Sequence, residues 1–194
     1  MVNYYYLMAQ LPYLIYEQKP PMSSEGFKIL AQYFMNEEDS RLMDFLSLDS
    51  HNIMLSAADI KPKDSCGFIN AWREWERALR LNVAKERVIK LKKDNQQITD
   101  PPLFPMDASA AASKASDEST PLESEIVLDK ARWSAIDAIA GNGNFLRDHV
   151  YAYYLKLLLL ERRQLFNAEL GFSEYKLLYA SILENAQKNP GEHE

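Results

Sequence analysis

Cysteine is almost missing from this sequence. Cys66 stands alone, so no internal disulfide framework is available to staple the chain. No secretory signal peptide opens the chain, and a reducing cytoplasm is the expected compartment. Beside Gly67, Phe68 and Ile69 the thiol reads as core filling rather than as a nucleophile. Histidine is equally sparse. His51, His149 and His193 are scattered, and no Cys or His pair has the three- or four-residue spacing of a helix-borne metal site. No metal and no cofactor is expected. Neither a G-x-S-x-G elbow nor a Walker loop occurs, and no catalytic constellation is visible, so the chain reads as a non-enzyme. Glycine is scarce as well. The GNGN stretch at 141–144 lacks the preceding strand and third glycine of a dinucleotide loop and reads as a turn between helices. Long apolar runs are also wanting. The oiliest window, Val150 to Leu160, contains Lys156 and falls short of the about 20 apolar residues that span a bilayer.

Positive charge is in deficit, with a net charge of −6, which argues against nucleic acid as a partner. The deficit is uneven. Residues 66–93 hold eight Lys and Arg against three Asp and Glu, whereas residues 94–129 hold one against eight. A basic block beside an acidic one serves either an internal pairing or a partner.

What the sequence does contain is helical periodicity. Ser23 or Ser24 is placed to cap a helix through Phe27, Leu30, Ala31 and Phe34. Asn36 is a second cap candidate, followed by acids at 37–39 that suit the positive end of a helix dipole, with Leu42, Phe45 and Leu46 beyond. A short helix is expected over His51 to Ala58. A long one follows from about Cys66 to Lys93, with Phe68, Trp72, Trp75, Leu79 and Val83 forming its apolar face. Arg73, Arg77, Arg80 and Arg87 line the same helix as a basic stripe, interleaved with Glu76 and Glu86 in surface i,i+4 pairs.

Between 94 and 124 the composition shifts to Pro, Ala, Ser and acid, with few bulky residues, and this stretch is expected to be a flexible insertion. A helix from Glu125 to Ala140 follows, carrying Ile126, Trp133, Ile136 and Ile139. The next helix is apolar over most of its circumference, through Val150, Tyr153, Tyr154, Leu157, Leu158 and Leu165. Only Ala152, Lys156 and Arg163 form a small or polar stripe, so the helix belongs in the middle of a bundle. Gly171 ends it, and a last helix starts at Ser173 with Tyr175, Leu178, Tyr179 and Ile182. Three adjacent tyrosines, Tyr4, Tyr5 and Tyr6, cannot all face one core, so at least one ring is expected at the surface. Pro12 leaves this segment readable as helix or edge strand.

Four stretches together carry a family resemblance: NYYYLMAQLPYL (3–14), KPP (19–21), WREWERALRLNVAKERVIKL (72–91) and YAYYLKLLLLERRQLFNAELGF (151–172). They resemble a bacterial family whose genes tend to lie within V-type ATPase operons. Tyr4 to Ala9 is also similar, distantly, to the aromatic N-terminal segment of the C-type adaptor of V/A-type ATPases, the d-type adaptor of eukaryotes. Leu157 to Leu160 with Arg162 and Arg163 is similar to the late Leu-rich helix of that adaptor. The C-type adaptor is all-helical, is built from three repeated modules and is far longer. The resemblance implies a non-catalytic peripheral subunit or adaptor, cytoplasmic and held at the membrane through the complex, between central stalk and membrane ring. Its partner-binding residues would be Tyr4, Tyr5, Tyr6, Arg73, Arg77, Arg80, Arg162 and Arg163. A free-standing cytoplasmic interaction protein is the alternative, and a small enzyme with a carboxylate site a further one.

The expected architecture is an all-α bundle of five or six helices with a disordered acidic insertion. Residues 1–93 form its N-terminal part, 94–124 the insertion, and 125–194 C-terminal helices on the same bundle.

Overall fold

A computed structural model describes residues 4–49, 66–91, 100–102, 105–142, 145–166, 176–179 and 181–182. Every regular element among them is a helix, as the periodicity requires. The chain forms two compact units, residues 1–161 and 162–194. The helix expected over His51 to Ala58 lies outside the described residues, as do the expected cap positions Gly171 and Ser173.

The first unit opens with α1 (Tyr5–Gln10), a short helix rather than a strand, which stops just before Leu11 and Pro12. Helix α2 (Ser24–Phe34) is capped by the Ser23 hydroxyl, which accepts from the Gly26 amide at 3.0 Å. Its first turn also holds a carboxylate from far along the chain: Glu161 accepts from the Ser24 amide at 2.7 Å and from its hydroxyl at 2.6 Å. Helix α3 (Glu37–Leu42) is capped by Asn36 and tightens into a 3-10 turn at Met43–Phe45. Helix α4 (Gly67–Lys90) is the longest and buries Phe68, Trp72, Trp75 and Leu79 as expected.

The stretch expected to be a flexible insertion is corrected by the structure over much of its length. Residues Met106–Asp117 form α5, and Pro121–Ala140 form α6. Two physical features explain the difference. Alanine has the highest helix propensity, and Ala108, Ala112 and Ala115 fall at helical spacing and are buried. Their smallness, read from the sequence as an inability to make a core, lets α5 approach α4 closely, and the two helices are in extensive contact. The start of α6 carries a complete capping box, Thr120 with Glu123, and a proline at its first turn. The Trp75 indole Nε1 donates to Asp107 at 2.8 Å and pins the first turn of α5 to α4. The 106–140 segment therefore packs within the first unit, and no domain boundary falls there.

Helix α6 ends at Gly141, whose φ of 69° is a conformation that side-chain-bearing residues rarely adopt. Helix α7 (Arg147–Gln164) is buried on most of its circumference from Val150 to Leu160. Its tyrosines pack on rings of α2 and α4: Phe27 lies on Tyr153 with ring centres 5.0 Å apart, and Phe68 on Tyr151 at 6.0 Å. Lys156, the charged break in the run, pairs with Asp137 at 2.5 Å and lies 4.5 Å from the Trp133 ring centre. Leu165, expected on the apolar arc, lies past the helix end.

Close packing of α5 on α4 has a direct consequence. Ala108→Leu should destabilise the protein by about 1–3 kcal/mol, because Ala108 is fully buried and the added volume has nowhere to go. Urea unfolding followed by tryptophan fluorescence measures it; an unchanged midpoint would mean that this helix does not pack on α4.

Candidate functional site

The tyrosine triplet divides as the sequence requires. Tyr4 is buried, while Tyr5 and Tyr6 stand in solvent at 53% and 75% exposure. Tyr4 is held at both ends: its amide donates to the Phe145 carbonyl at 2.8 Å, and its hydroxyl donates to Asp39. Asp39 is itself buried and collects further donors. Arg147 reaches it at 3.0 Å and the Asn36 side-chain amide at 3.1 Å, while the Tyr151 hydroxyl donates to its backbone carbonyl at 2.9 Å. This hub joins the N-terminal segment, α3 and α7. Burial, then the neighbouring Asp39, pushes the Tyr4 and Tyr151 hydroxyls well above the ordinary phenol range. Burial alone raises Tyr153 to about 12, with its hydroxyl donating to the Pro12 carbonyl at 2.9 Å. For Arg147, burial works against the charge, and the hydrogen bond to Asp39 outweighs it, so the guanidinium is held cationic. As an expected partner residue Tyr4 is therefore misplaced: its ring and hydroxyl are consumed inside the fold.

The basic stripe of α4 divides too. Arg77 is exposed, with no ion pair among the described residues. Arg80 donates to Glu76 at 2.9 Å and to the Leu48 carbonyl at 2.9 Å. Arg73 is 8% exposed, lies over the Phe45 ring and makes one long hydrogen bond, 3.4 Å, to the Phe45 carbonyl. Its Nε and Nη1 have no partner among the described residues, and burial lowers its pKa. Arg73 and Arg80 thus fasten the 3-10 turn and the segment after it onto α4 instead of facing outward.

The Glu76–Arg80 pair expected on a solvated surface is the edge of a buried network. Glu76 is completely buried, and Arg132 of α6 grips it through Nε at 3.0 Å and Nη2 at 3.1 Å. The same guanidinium donates through Nη1 to Asp129 at 2.8 Å. Burial disfavours the Arg132 charge, but Glu76 and Asp129 outweigh it, and the guanidinium stays protonated. Sequence alone misses this because Glu76 and Arg132 are 56 residues apart. The available signal was the position of Glu76 on the helical wheel, one residue from Trp75 and three from Leu79.

A groove of about 350 Å³ between α4, α5 and α6 mixes Arg87 and Lys90 with Glu86, Glu118 and Glu125. Among the described residues no group of three or more His, Cys, Asp or Glu is arranged to hold a metal ion. No described helix is long and apolar enough to cross a membrane. Cys66 is buried, as core filling predicts. In the second unit, Arg162 lies over the Phe166 ring at 5.6 Å, Arg163 follows it, and residues 176–179 and 181–182 are helical.

Large apolar side chains nonetheless stand in solvent on the first unit. Tyr13, Tyr33, Ile29 and Ile15 join Tyr5 and Tyr6. Comparison with protein-family models, with curated proteins and with solved structures finds no match for the chain.

Two outcomes follow from the buried polar groups. Arg132→Met should cost roughly 3–5 kcal/mol in urea unfolding, because Glu76 would stay buried with two of its three donor groups gone. The double variant with Glu76→Leu should recover part of the loss, since Asp129 still lacks Arg132, and equal losses would dismiss the Glu76 pairing. The tyrosines give a pH test. Their folded-state pKa values lie above the unfolded value, so their contribution is intact below about pH 10 and is lost as pH rises beyond it. Absorbance titration should show fewer than the eleven tyrosines ionising before unfolding, with Tyr4, Tyr151 and Tyr153 in the late group.

Proposed function

We propose that the chain is a non-catalytic interaction protein, a peripheral subunit or adaptor of a bacterial V-type ATPase acting between central stalk and membrane ring. The observation that carries this reading is the division of its side chains. The buried acids Asp39, Glu76 and Asp129 are spent on arginines and on neighbouring groups of the same chain, while aromatic rings are left in solvent. An adaptor needs a stiff body and docking surfaces, and aromatic rings supply large contact area at small entropic cost. The residue patterns at 3–14, 72–91 and 151–172 supply the identity of the complex. On this reading the protein is cytoplasmic and sits at the membrane only through its partners.

The arrangement narrows the candidate contacts. Tyr5, Tyr6 and Arg77 are exposed on the first unit, and Arg162 and Arg163 belong to the C-terminal end of α7. Tyr4, Arg73 and Arg80 support the fold, so substitution there would confuse folding with binding.

Affinity purification of the tagged protein from gently solubilised native membranes, with mass spectrometry of what co-purifies, tests the proposal. Head, stalk and ring subunits should be recovered in fixed ratio. Arg77→Glu with Tyr6→Ala should lower that recovery about tenfold without shifting the unfolding midpoint, as expected for exposed contact residues. Recovery of the wild-type protein alone, from the soluble fraction, would retire the ATPase reading.

A further inference from the structure

Helix α2 has an outward face that its own fold does not use. Phe27 and Ala31 point into the core, whereas Ile29 and Tyr33, one helical turn apart, are 54% and 81% exposed, and Phe34 is partly exposed at the helix end. Half-exposed single residues are ordinary on any surface, but an apolar pair along one helix face, flanked by charge mostly of one sign, has the anatomy of a docking ridge. The flanking charge is acidic. Glu25 stands at the start of α2, Glu37 and Glu38 at the start of α3, and Asp44 beyond it, all exposed. Lys28 and Arg41 are the cations of this face, and Lys28 is already bridged to Asp44 at 2.9 Å. Beside the ridge, between α2 and α3, lies a shallow cavity of about 340 Å³ lined by Gln32, Met35, Glu37, Ser40, Arg41 and Asp44.

We propose that this face docks a basic amphipathic helix of a partner protein, its apolar stripe on Ile29 and Tyr33 and its lysines or arginines against Glu25, Glu37 and Glu38. Charge complementarity chooses this occupant. A second copy of the chain would bring the same acids against themselves, and an anionic lipid surface would be repelled by them. A helix laid along α2 engages apolar positions one turn apart, which matches the spacing of Ile29 and Tyr33. The inference deepens the adaptor reading and rests on the chain being an interaction protein, but it does not depend on which complex supplies the helix.

The test uses two fluorescent helical peptides of about 20 residues, each with one leucine face, one carrying lysine and the other glutamate on the remaining faces. Anisotropy with the full-length protein should show binding of the lysine peptide and at least about tenfold weaker binding of the glutamate peptide, with the difference shrinking as salt rises. Ile29→Ser with Tyr33→Ser, and separately Glu37→Lys with Glu38→Lys, should each weaken the lysine peptide about tenfold, whereas Tyr13→Ser, at an exposed ring elsewhere, should leave it unchanged. All these positions are exposed, and circular dichroism confirms the fold of each variant. Binding that ignores the Ile29 and Tyr33 substitutions would overturn the proposal as mere charge attraction. So would a concentration-dependent dimer, or binding to phosphatidylglycerol vesicles, that these substitutions abolish. Unchanged lysine-peptide binding by the Ile29 and Tyr33 variant, with the ATPase subunits still recovered, would retire this surface and leave the adaptor reading standing. Loss of the ATPase subunits from the wild-type purification, with the peptide results intact, would do the reverse.

Discussion

The packing of α4, α5 and α6 in the larger unit is arranged around the burial of one carboxylate. Glu76 sits at zero exposure in the middle of α4, and a charge there is tolerable only if donors converge on it from fixed positions. Arg80 supplies one donor from the next turn of the same helix, and Arg132 supplies two from α6. The second requirement sets how α6 lies along α4, because a shift of one residue would move the guanidinium by about 1.5 Å and rotate it away. Helix α5 must then fit against both, and its alanine face is what makes a close fit possible. Arg80 extends the constraint outward by holding the Leu48 carbonyl, so the segment after α3 is fastened by the same cluster.

Asp39 plays a comparable part at the ends of α1, α3 and α7. Its partners come from residues 4, 36, 147 and 151, which no local element could bring together. Two polar hubs of this kind make the helices non-interchangeable. Apolar contacts alone would hold α7 in several rotations, since it is oily nearly all round; the Tyr151, Tyr153 and Lys156 hydrogen bonds select one.

Local signals were legible in the sequence, and long-range ones were not. The caps at Ser23 and Asn36, the apolar face of α4 and the buried character of α7 all follow from spacing of three and four and from residue types that bond within a turn. The helix at 106–117 was misread for a physical reason: bulk was used as the measure of core-forming capacity, and alanine contributes to a core through closeness rather than through area. The Thr120 to Glu123 capping box was in plain sight and contradicted a flexible reading. Of the residues expected to meet a partner, Tyr5, Tyr6 and Arg77 are exposed. Tyr4, Arg73 and Arg80 are drawn inward by Asp39, Phe45 and Glu76, partners 28 or more residues away for the first two and one turn away for the third. A pattern of charge on one helix shows that a stripe exists; only the packing of other helices decides which of its members stay outside.

That packing bears on what such a body is suited to do. A buried ion pair adds little net stability over a well-packed apolar core, and replacing it with apolar residues is often neutral or favourable. Arg73 departs further from stability, as a nearly buried guanidinium with two nitrogens unpartnered among the described residues. A chain selected for stability alone would shed such groups. One selected to transmit position between two partners gains from them, because a mispaired register leaves a charge stranded and is heavily disfavoured. The same economy accounts for the surface: with the buried acids matched internally, aromatic area and the exposed acids of α2 and α3 are what remain for recognition. On the adaptor reading, the polar interior fixes the shape, and the exposed rings and charges do the binding.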